Sequence, residues 1–593
     1  MKRWLCLLLI LLMLPIVGCG EDDAPVRTKA ENVYRVRELT LPEGFTPKSF
    51  RLTDGDFFVV GIGADSGILS APLDENGTVG ALSPYAGELW EDIEPSNVTL
   101  PEGVISNNVK IAVSSGSALW YHDAEGVWRY DGVGEPTLLL DCQNSGIVGW
   151  RVSRVAVAGE ERMYMTYAET DGSELLFLLE RLDESEIPAK YELRLAVQYI
   201  EEPLVSIAAR FNRESADCHV VLCEYDDSCG DMQLSENSLQ YALIHDDVPD
   251  MICLTDYSTR LTMLNSRMFT DLLPLMSDAD RADILPGLLL TEPDGRLQEL
   301  VTRFDIRTLI TRAADRDSRW TVAEYAAYAA ALADGRYMTQ YISQADILEW
   351  LLYDSLDTLI SEGLDGGRMR EILTAARNSA AYEYTRSKEF DNRTDTDEMY
   401  ADGSVIVRQV SLGSTEQLAI LSGDYRFAEL YPAGYPGEES GVLLSPGMSF
   451  GITKNCKIPE YAWDFLRAVL TDTSASERFS GSRAVLEAQM QEAQSMKYYR
   501  ISGSSYALWY DDRTLDDVFG GNTPDGRLYR FDEDDAARLT SLVESAHCLP
   551  HRYETMLDII REEASVYFAG VKTLDETVKL INDRCSTYLA ETE

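Results

Sequence analysis

The chain has 593 residues, and 100 Asp and Glu outweigh 52 Lys and Arg to give a formal net charge of −48. A chain this long exceeds what one core can bury, so roughly two to four domains are expected. Its acidity argues against nucleic acid and anionic membrane surfaces as partners, because both demand basic patches. The acidic runs, such as Glu21-Asp22-Asp23 and Asp532-Glu533-Asp534-Asp535, read as a solvated exterior.

In chain order, the first feature is Met1 to Gly20. Lys2 and Arg3 precede an apolar run, Trp4 to Val17, and then Gly18-Cys19-Gly20. A cationic start, a short apolar stretch and a small residue at the cut describe an export signal. The run is shorter than the about 20 residues a bilayer span needs. Ile16-Val17-Gly18-Cys19 resembles the lipobox of bacterial lipoproteins, where the Cys thiol accepts a diacylglyceryl group and becomes the new N-terminus. The resemblance implies a signal peptide at 1–18, lipidation of Cys19, and a chain on the outer face of the bacterial cytoplasmic membrane. Contact with that membrane would be through lipid only. The alternatives are an ordinary signal peptide and an uncleaved anchor. Residues 19–32 are polar and without periodicity: a tether.

Residues 33–188 have a β pattern. Three units, Phe57 to Val79, Ile111 to Asp141 and Arg154 to Leu182, share strands joined by acidic-Gly turns. The turns are Asp74-Glu75-Asn76-Gly77, Asp123-Ala124-Glu125-Gly126 and Asp171-Gly172, which are hairpin signals. A repeat of roughly 40 to 50 residues suggests propeller blades, here a partial propeller or a sandwich. Gly61-Ile62-Gly63 lacks the third Gly and the following helix of a dinucleotide loop.

From about 190 the pattern alternates. Tyr191 to Val197, Val220 to Leu222 and Asp250 to Leu254 are strands, separated by helices at Pro203 to Asn212 and Leu234 to Ile244. Such alternation implies βαβ units and a largely parallel sheet. Helices then dominate: Val322 to Leu332, Ile347 to Ile360, Arg368 to Arg377, Pro459 to Leu470, Tyr553 to Phe568 and Leu574 to Leu589. Eight cysteines follow Cys19, at 142, 218, 223, 229, 253, 456, 548 and 585. Their spacings are not those of a zinc site, so bridges or free thiols are expected, and neither metal nor cofactor.

Three segments carry a resemblance: "LRLAVQYIEEPLVSIAARFNRES" with "DDVPDMICLTD", "GVLLSPGMSFGITKNCKIPEYAWDFLRAVLTD", and "IIREEASVYFAGVKTLDETVKLINDRCSTYL". In this order they resemble the extracellular solute-binding proteins of ABC importers, in the branch of sugar and oligosaccharide receptors. The resemblance implies an α/β chain with a two-lobed, periplasmic-binding-protein-like fold of type II over 190–593, preceded by the antiparallel β-rich domain. One lobe would hold about 190–302 and 445–490, the other about 313–443 and 491–593. The implied partners are a small-molecule solute, a sugar or oligosaccharide first, and ABC permease subunits. Cleft positions lie beyond the carboxyl ends of strands and between lobes. That topology nominates Gln198, Tyr199, Asp256 and Tyr257 on one side, beside Thr255. Arg303 and Asp305 lie on the first crossover, Gln409, Ser411, Tyr431 and Tyr435 on the second lobe, and His551 and Tyr553 at the penultimate helix. Aromatic faces and polar groups suit a sugar. Asp256 could instead cap a helix, and Tyr431 and Tyr435 could pack around a Pro-Gly turn. Trp463, Trp320 and Trp350 read as core. Arg303, Arg307 and Arg312, where sugar receptors often carry aromatics, keep an acidic or peptide-like ligand open.

Two other readings compete. Gly447-Met448-Ser449-Phe450-Gly451 matches G-x-S-x-G, with Asp516, Asp532, His547 and His551 downstream in hydrolase order. An elbow needs a helix at once, whereas Ile452 to Asn455 continue extended. The other is a surface interaction protein acting through 33–188 alone.

Overall fold

The computed structural model describes residues 25–592 except 90–97, 102–103, 106–107, 170–171, 226–238, 246, 256, 313–314, 316–318, 333–335, 341–342, 380, 383–399, 401–402, 426–429, 438–440, 474–477, 502–505 and 511–512. Cys19 and the signal segment lie outside them. No helix among the described residues is long and apolar enough to cross a membrane.

The β-rich part is three sheets, antiparallel except that Val113–Ser114 joins the third parallel to Val152–Gly159. The first joins Thr46–Thr53, Asp56–Ile62, Ile68–Leu73 and Ser83–Pro84; the second joins Lys110–Ile111, Leu119–His122, Gly126–Tyr130 and Thr137–Asp141. In the third, Val152–Gly159, Arg162–Ala168 and Glu174–Arg181 form a meander whose outer edge is closed by Tyr34–Glu38. The acidic turns work as side-chain caps. Asp74 Oδ1 accepts from the Asn76 and Thr78 amides, Asp123 Oδ1 from those of Glu125 and Gly126, and Gly77 has φ 76°. Strand alternation gives the third sheet two apolar faces. Val155, Val157, Met163, Met165 and Leu179 pack with Trp120, Val127 and Leu140 of the second sheet. Ala156, Tyr164, Leu176 and Leu178 pack with Phe50, Val59 and Ala71 of the first. The last sheet in sequence is therefore the middle layer of the three. Gly61-Ile62-Gly63 lies at the end of strand Asp56–Ile62 with no helix after it.

The α/β part begins with β1 (Lys190–Val197), α1 (Glu202–Glu214), β2 (Cys218–Glu224), β3 (Met251–Cys253) and α2 (Tyr257–Asn265). The 13-residue β4 (Leu300–Arg312) follows. After α3 (Val322–Ala330), α4 (Gln344–Leu352), α5 (Leu356–Glu362) and α6 (Gly367–Asn378) come β5 (Val407–Leu412), α7 (Thr415–Tyr425) and β6 (Leu443–Ile452). Then come α8 (Pro459–Leu470), α9 (Arg483–Gln494), a small sheet within 496–529, α10 (Glu533–Ser545), α11 (His551–Phe568) and α12 (Leu574–Thr592). The main sheet runs β2-β1-β3-β6-β4-β5. β1, β2 and β3 are parallel, and β6 inserts antiparallel between β3 and β4. A strand nearly 200 residues later in sequence thus sits inside the βαβ layer, and β4 and β6 continue past it into the helical half. This is the crossing-strand arrangement of a two-lobed α/β fold.

Each face of the extended sheet has its own core. Phe304, Ile306, Ile310, Val410, Leu412 and Leu444 join the βαβ layer in the first. Leu309, Val407 and Leu443 meet α3, α4, α6, α11 and α12 in the second. The expected lobe boundaries shift accordingly. Tyr498, Tyr529, Leu539 and Val543, placed by sequence with the second lobe, pack in the first core. The expected helix over 347–360 is two helices, because Asp354 is drawn inward to accept from the Gly441 amide (3.3 Å) and to pair with Arg319 (3.3 Å). The expected tether is also shorter, since Arg27–Thr28 pairs with Lys190 and Tyr191. The described cysteines, 142, 218, 223, 253, 456, 548 and 585, are all free thiols.

Candidate functional site

A polar surface lies where β4, β5 and β6 run between the two cores. Register pairs Asp305 with Ser445, Arg307 with Ser411 and Leu443, and Leu309 with Gln409. Residues opposite each other or two apart share a face. One face therefore carries Asp305, Arg307, Ser445, Ser411 and Gln409, and passes into the second core at Leu309 and Leu443. Arg307, Ser411 and Gln409 are exposed; Asp305 and Ser445 are half-buried. Arg478 approaches Asp305 from the side (3.7 Å). The Asp305 carboxylate lies so close to Gly413 that a Cβ there would meet its Oδ1 at 2.6 Å, so Gly413 leaves the room that this acid occupies. A floor with one carboxylate, two guanidinium groups, an amide and two hydroxyls can hydrogen-bond a polar solute on several sides.

Of the positions nominated by sequence, Asp305, Gln409 and Ser411 come together here. Tyr435 does not reach the surface. It is fully buried against Tyr353 (ring centroids 4.8 Å) and Trp350 (6.4 Å), and burial pushes its hydroxyl up to about 12. Its oxygen accepts from Gln409 Nε2 (2.8 Å), so it positions Gln409 from below. Arg303 is also buried. Register irregularities on either side of it turn its side chain inward, where it donates to the Thr302 carbonyl (2.9 Å), Ser480 Oγ (3.3 Å) and the Asp472 carbonyl (3.1 Å). It ties β4 to the 472–480 segment instead of facing a ligand.

Gln198 and Thr255 line a separate small recess with Tyr225 and Thr259 at the carboxyl ends of β1 and β3. At about 10 Å³ it has room for about one water. Tyr199 stands beside it, 63% exposed. Tyr257 opens α2, and the Tyr431 backbone pairs with Thr311. Asp256 lies outside the described residues. His551 and Tyr553, nominated for the cleft, instead belong to another cavity at the start of α11, with Glu292. Tyr553 is buried and its hydroxyl donates to Asp357.

Sequence reasoning passed over Ser445 and Arg478 and did not nominate Arg307. Ser445 was findable as the start of period-2 polarity in an apolar strand. Arg478 had no local signal, since only the chain's return beside β4 brings it to Asp305.

Ser449 is fully buried on the continuous strand β6, and its hydroxyl donates to Glu299. The elbow geometry is absent at this motif, and the Ser partner is a carboxylate, not a histidine. Glu299 also receives Arg260 through Nε (2.6 Å) and Nη2 (2.8 Å), and Arg260 Nη1 reaches Glu554 (2.8 Å). Burial pushes both carboxyls up; for Glu299 the bidentate guanidinium and the Ser449 hydroxyl outweigh it and bring the group below its ordinary value. Glu554, with one guanidinium bond and Glu299 nearby, stays above its ordinary value.

No protein-family model matches the chain. No curated protein matches it either. Among solved structures it is similar to the cyclic alpha-maltosyl-1,6-maltose binding protein of Arthrobacter globiformis, at 14% identity and a TM-score of 0.44 over 68% of this chain and 100% of that one. It is similar to the sugar-binding protein MalE of Xanthomonas citri, at 15% identity and 0.44 over 68% and 98%. It is also similar to a periplasmic oligogalacturonide binding protein of Yersinia enterocolitica, at 14% identity and 0.46 over 68% and 100%. The shared portion leaves about a third of the chain outside each match.

Proposed function

We propose that the α/β part is an extracellular solute receptor that binds a polar small molecule, a carbohydrate first, and delivers it to an ABC importer. The observation that carries the reading is the polar row of Asp305, Arg307, Ser445, Gln409 and Ser411, set on the strands that join the two cores. Ligand sites favour such junctions, and strands crossing between two bodies are where closure can occur. The sequence resemblance and the lipobox at Cys19 support the same reading: tethering by lipid would hold a loaded receptor at high effective concentration beside its permease. The two guanidinium groups on the floor keep acidic sugars within the class. The buried Ser449, bound to Glu299, weighs against the hydrolase reading.

A thermal-shift panel of neutral oligosaccharides, uronates, amino acids and peptides tests this. A ligand at a hundredfold excess over Kd stabilises the fold by about 2.7 kcal/mol and raises its melting temperature. Asp305→Asn and Gln409→Ala should each weaken binding at least about tenfold, or ~1.4 kcal/mol. A panel without any shift, or an oligosaccharide shift indifferent to both substitutions, removes the receptor reading.

A further inference from the structure

A second cavity lies away from the polar row. Its volume is about 180 Å³, far more than the roughly 10–15 Å³ that one water needs. One side is formed by the end of α2 and the turn before β4, with Leu264, Glu292 and Gln298. The other is formed by Ile360 of α5, the start of α11 and Leu589 of α12. Gln298 is seven residues before Asp305 on extended chain, ~20 Å along it, so the two sites are distinct.

Four observations give the cavity a chemistry. Gln298 is 2% exposed, and its Oε1 has no hydrogen-bond partner. A buried carbonyl left unpaired is costly, so a ligand donor would relieve it. Arg552, half-buried, lies over the Tyr553 ring (4.9 Å), and Arg267 stands exposed at the mouth. Helix α11 begins after Pro550 with no side-chain cap, so its first amides also favour an anion. Glu292, paired with His551 (3.1 Å), supplies a second acceptor opposite the cations.

We propose that this cavity is a second ligand site, for a small carboxylate that also carries a hydroxyl or ammonium group. The carboxylate would face Arg552 and Arg267, and the donor would reach Gln298 Oε1. The site does not depend on the receptor reading of the cleft.

The test is calorimetric titration of the full chain with L-glutamate, D-galacturonate and citrate, with D-galactose as the neutral control. At least one carboxylate should bind saturably where galactose does not. Gln298→Met and Arg552→Gln should each weaken that binding at least tenfold, and Asp305→Asn should leave it intact. Gln298→Met should also leave the unliganded melting temperature unchanged or raise it, because it removes an unpaired buried carbonyl. The proposal is overturned if no carboxylate binds, if binding survives both variants, or if Asp305→Asn abolishes it. It is equally overturned if Gln298→Met lowers the unliganded melting temperature, which would show the amide to be a structural partner. The neutral oligosaccharides of the cleft panel carry no carboxylate, and Asp305→Asn separates the two sites, so failure here and failure of the receptor reading are told apart.

Discussion

The Ser449 hydroxyl, Glu299, Arg260 and Glu554 form one buried chain that joins β6, the start of β4, α2 and α11. Removing a member leaves an uncompensated buried group, so the cost exceeds that of one hydrogen bond. Ser449→Ala should destabilise the chain by about 1–2 kcal/mol in denaturant unfolding and leave turnover of activated esters at background. Retained stability together with lost ester turnover would revive the hydrolase reading. Two histidines set an acid limit. Burial holds His122 down at about 3 and His219 at about 4, and the Nε2 of each has no partner. Below the ordinary value of 6.5 the unfolded chain takes up protons that the folded chain does not. Their contribution is therefore whole above that value and falls as pH drops toward 4 and then 3. The loss is roughly 2 kcal/mol for each near pH 5. Unfolding curves at about pH 7 and pH 5 check this, and His122→Gln should flatten the slope.

Among the elements, α1 serves two bodies. Leu204, Ile207 and Ala208 face the main sheet, while Ala209 enters the core of the β sandwich, with Val205 against it. Asn212 on the same helix bonds both backbone groups of Val220, and Gln143 of the sandwich accepts from the Leu222 amide (3.3 Å). These contacts blunt the exposed edge of β2, which would otherwise invite another strand. Gly146 allows the close approach: its φ is 68°, and a Cβ there would lie 2.4 Å from the Arg213 side chain. Gly146→Ala should cost about 1–3 kcal/mol, measured by thermal unfolding, from the left-handed backbone and the displaced arginine together. A neutral substitution would mean that the loop can retreat from α1. Helix ends were strongly encoded: Thr321/Glu324, Ser343/Asp346 and Asp532/Asp535 each close a reciprocal capping box. The break between α4 and α5 was not, because Asp354 answers to Gly441, 87 residues on.

Over the whole molecule, the β-rich part is docked onto the α/β part. Arg27–Thr28 adds to the edge of β1, Arg213 donates to the Gly146 carbonyl, and Ala209 is buried in the sandwich core. A chain beginning at residue 189 would expose Ala209 and Val205 and free the β2 edge. It should melt lower than the full chain and aggregate more, as light scattering would show. Equal behaviour would mean that the docking contributes nothing. The sequence by itself determined the β-to-α/β change near 188, the hairpin turns and most helices. Each rests on local chemistry: turn acids, period and caps. It also brought Asp305, Gln409 and Ser411 forward, because topology places the middle of a crossing strand at the junction. Only the tertiary structure decided that the third sheet lies in the middle of the sandwich and that Arg303 and Tyr435 turn inward. It alone joined Arg307, Ser445 and Arg478 to the floor and moved His551 and Tyr553 to a cavity of their own. Those outcomes depend on bulges and on partners more than a hundred residues away, and no local pattern encodes which long-range partner a side chain will meet.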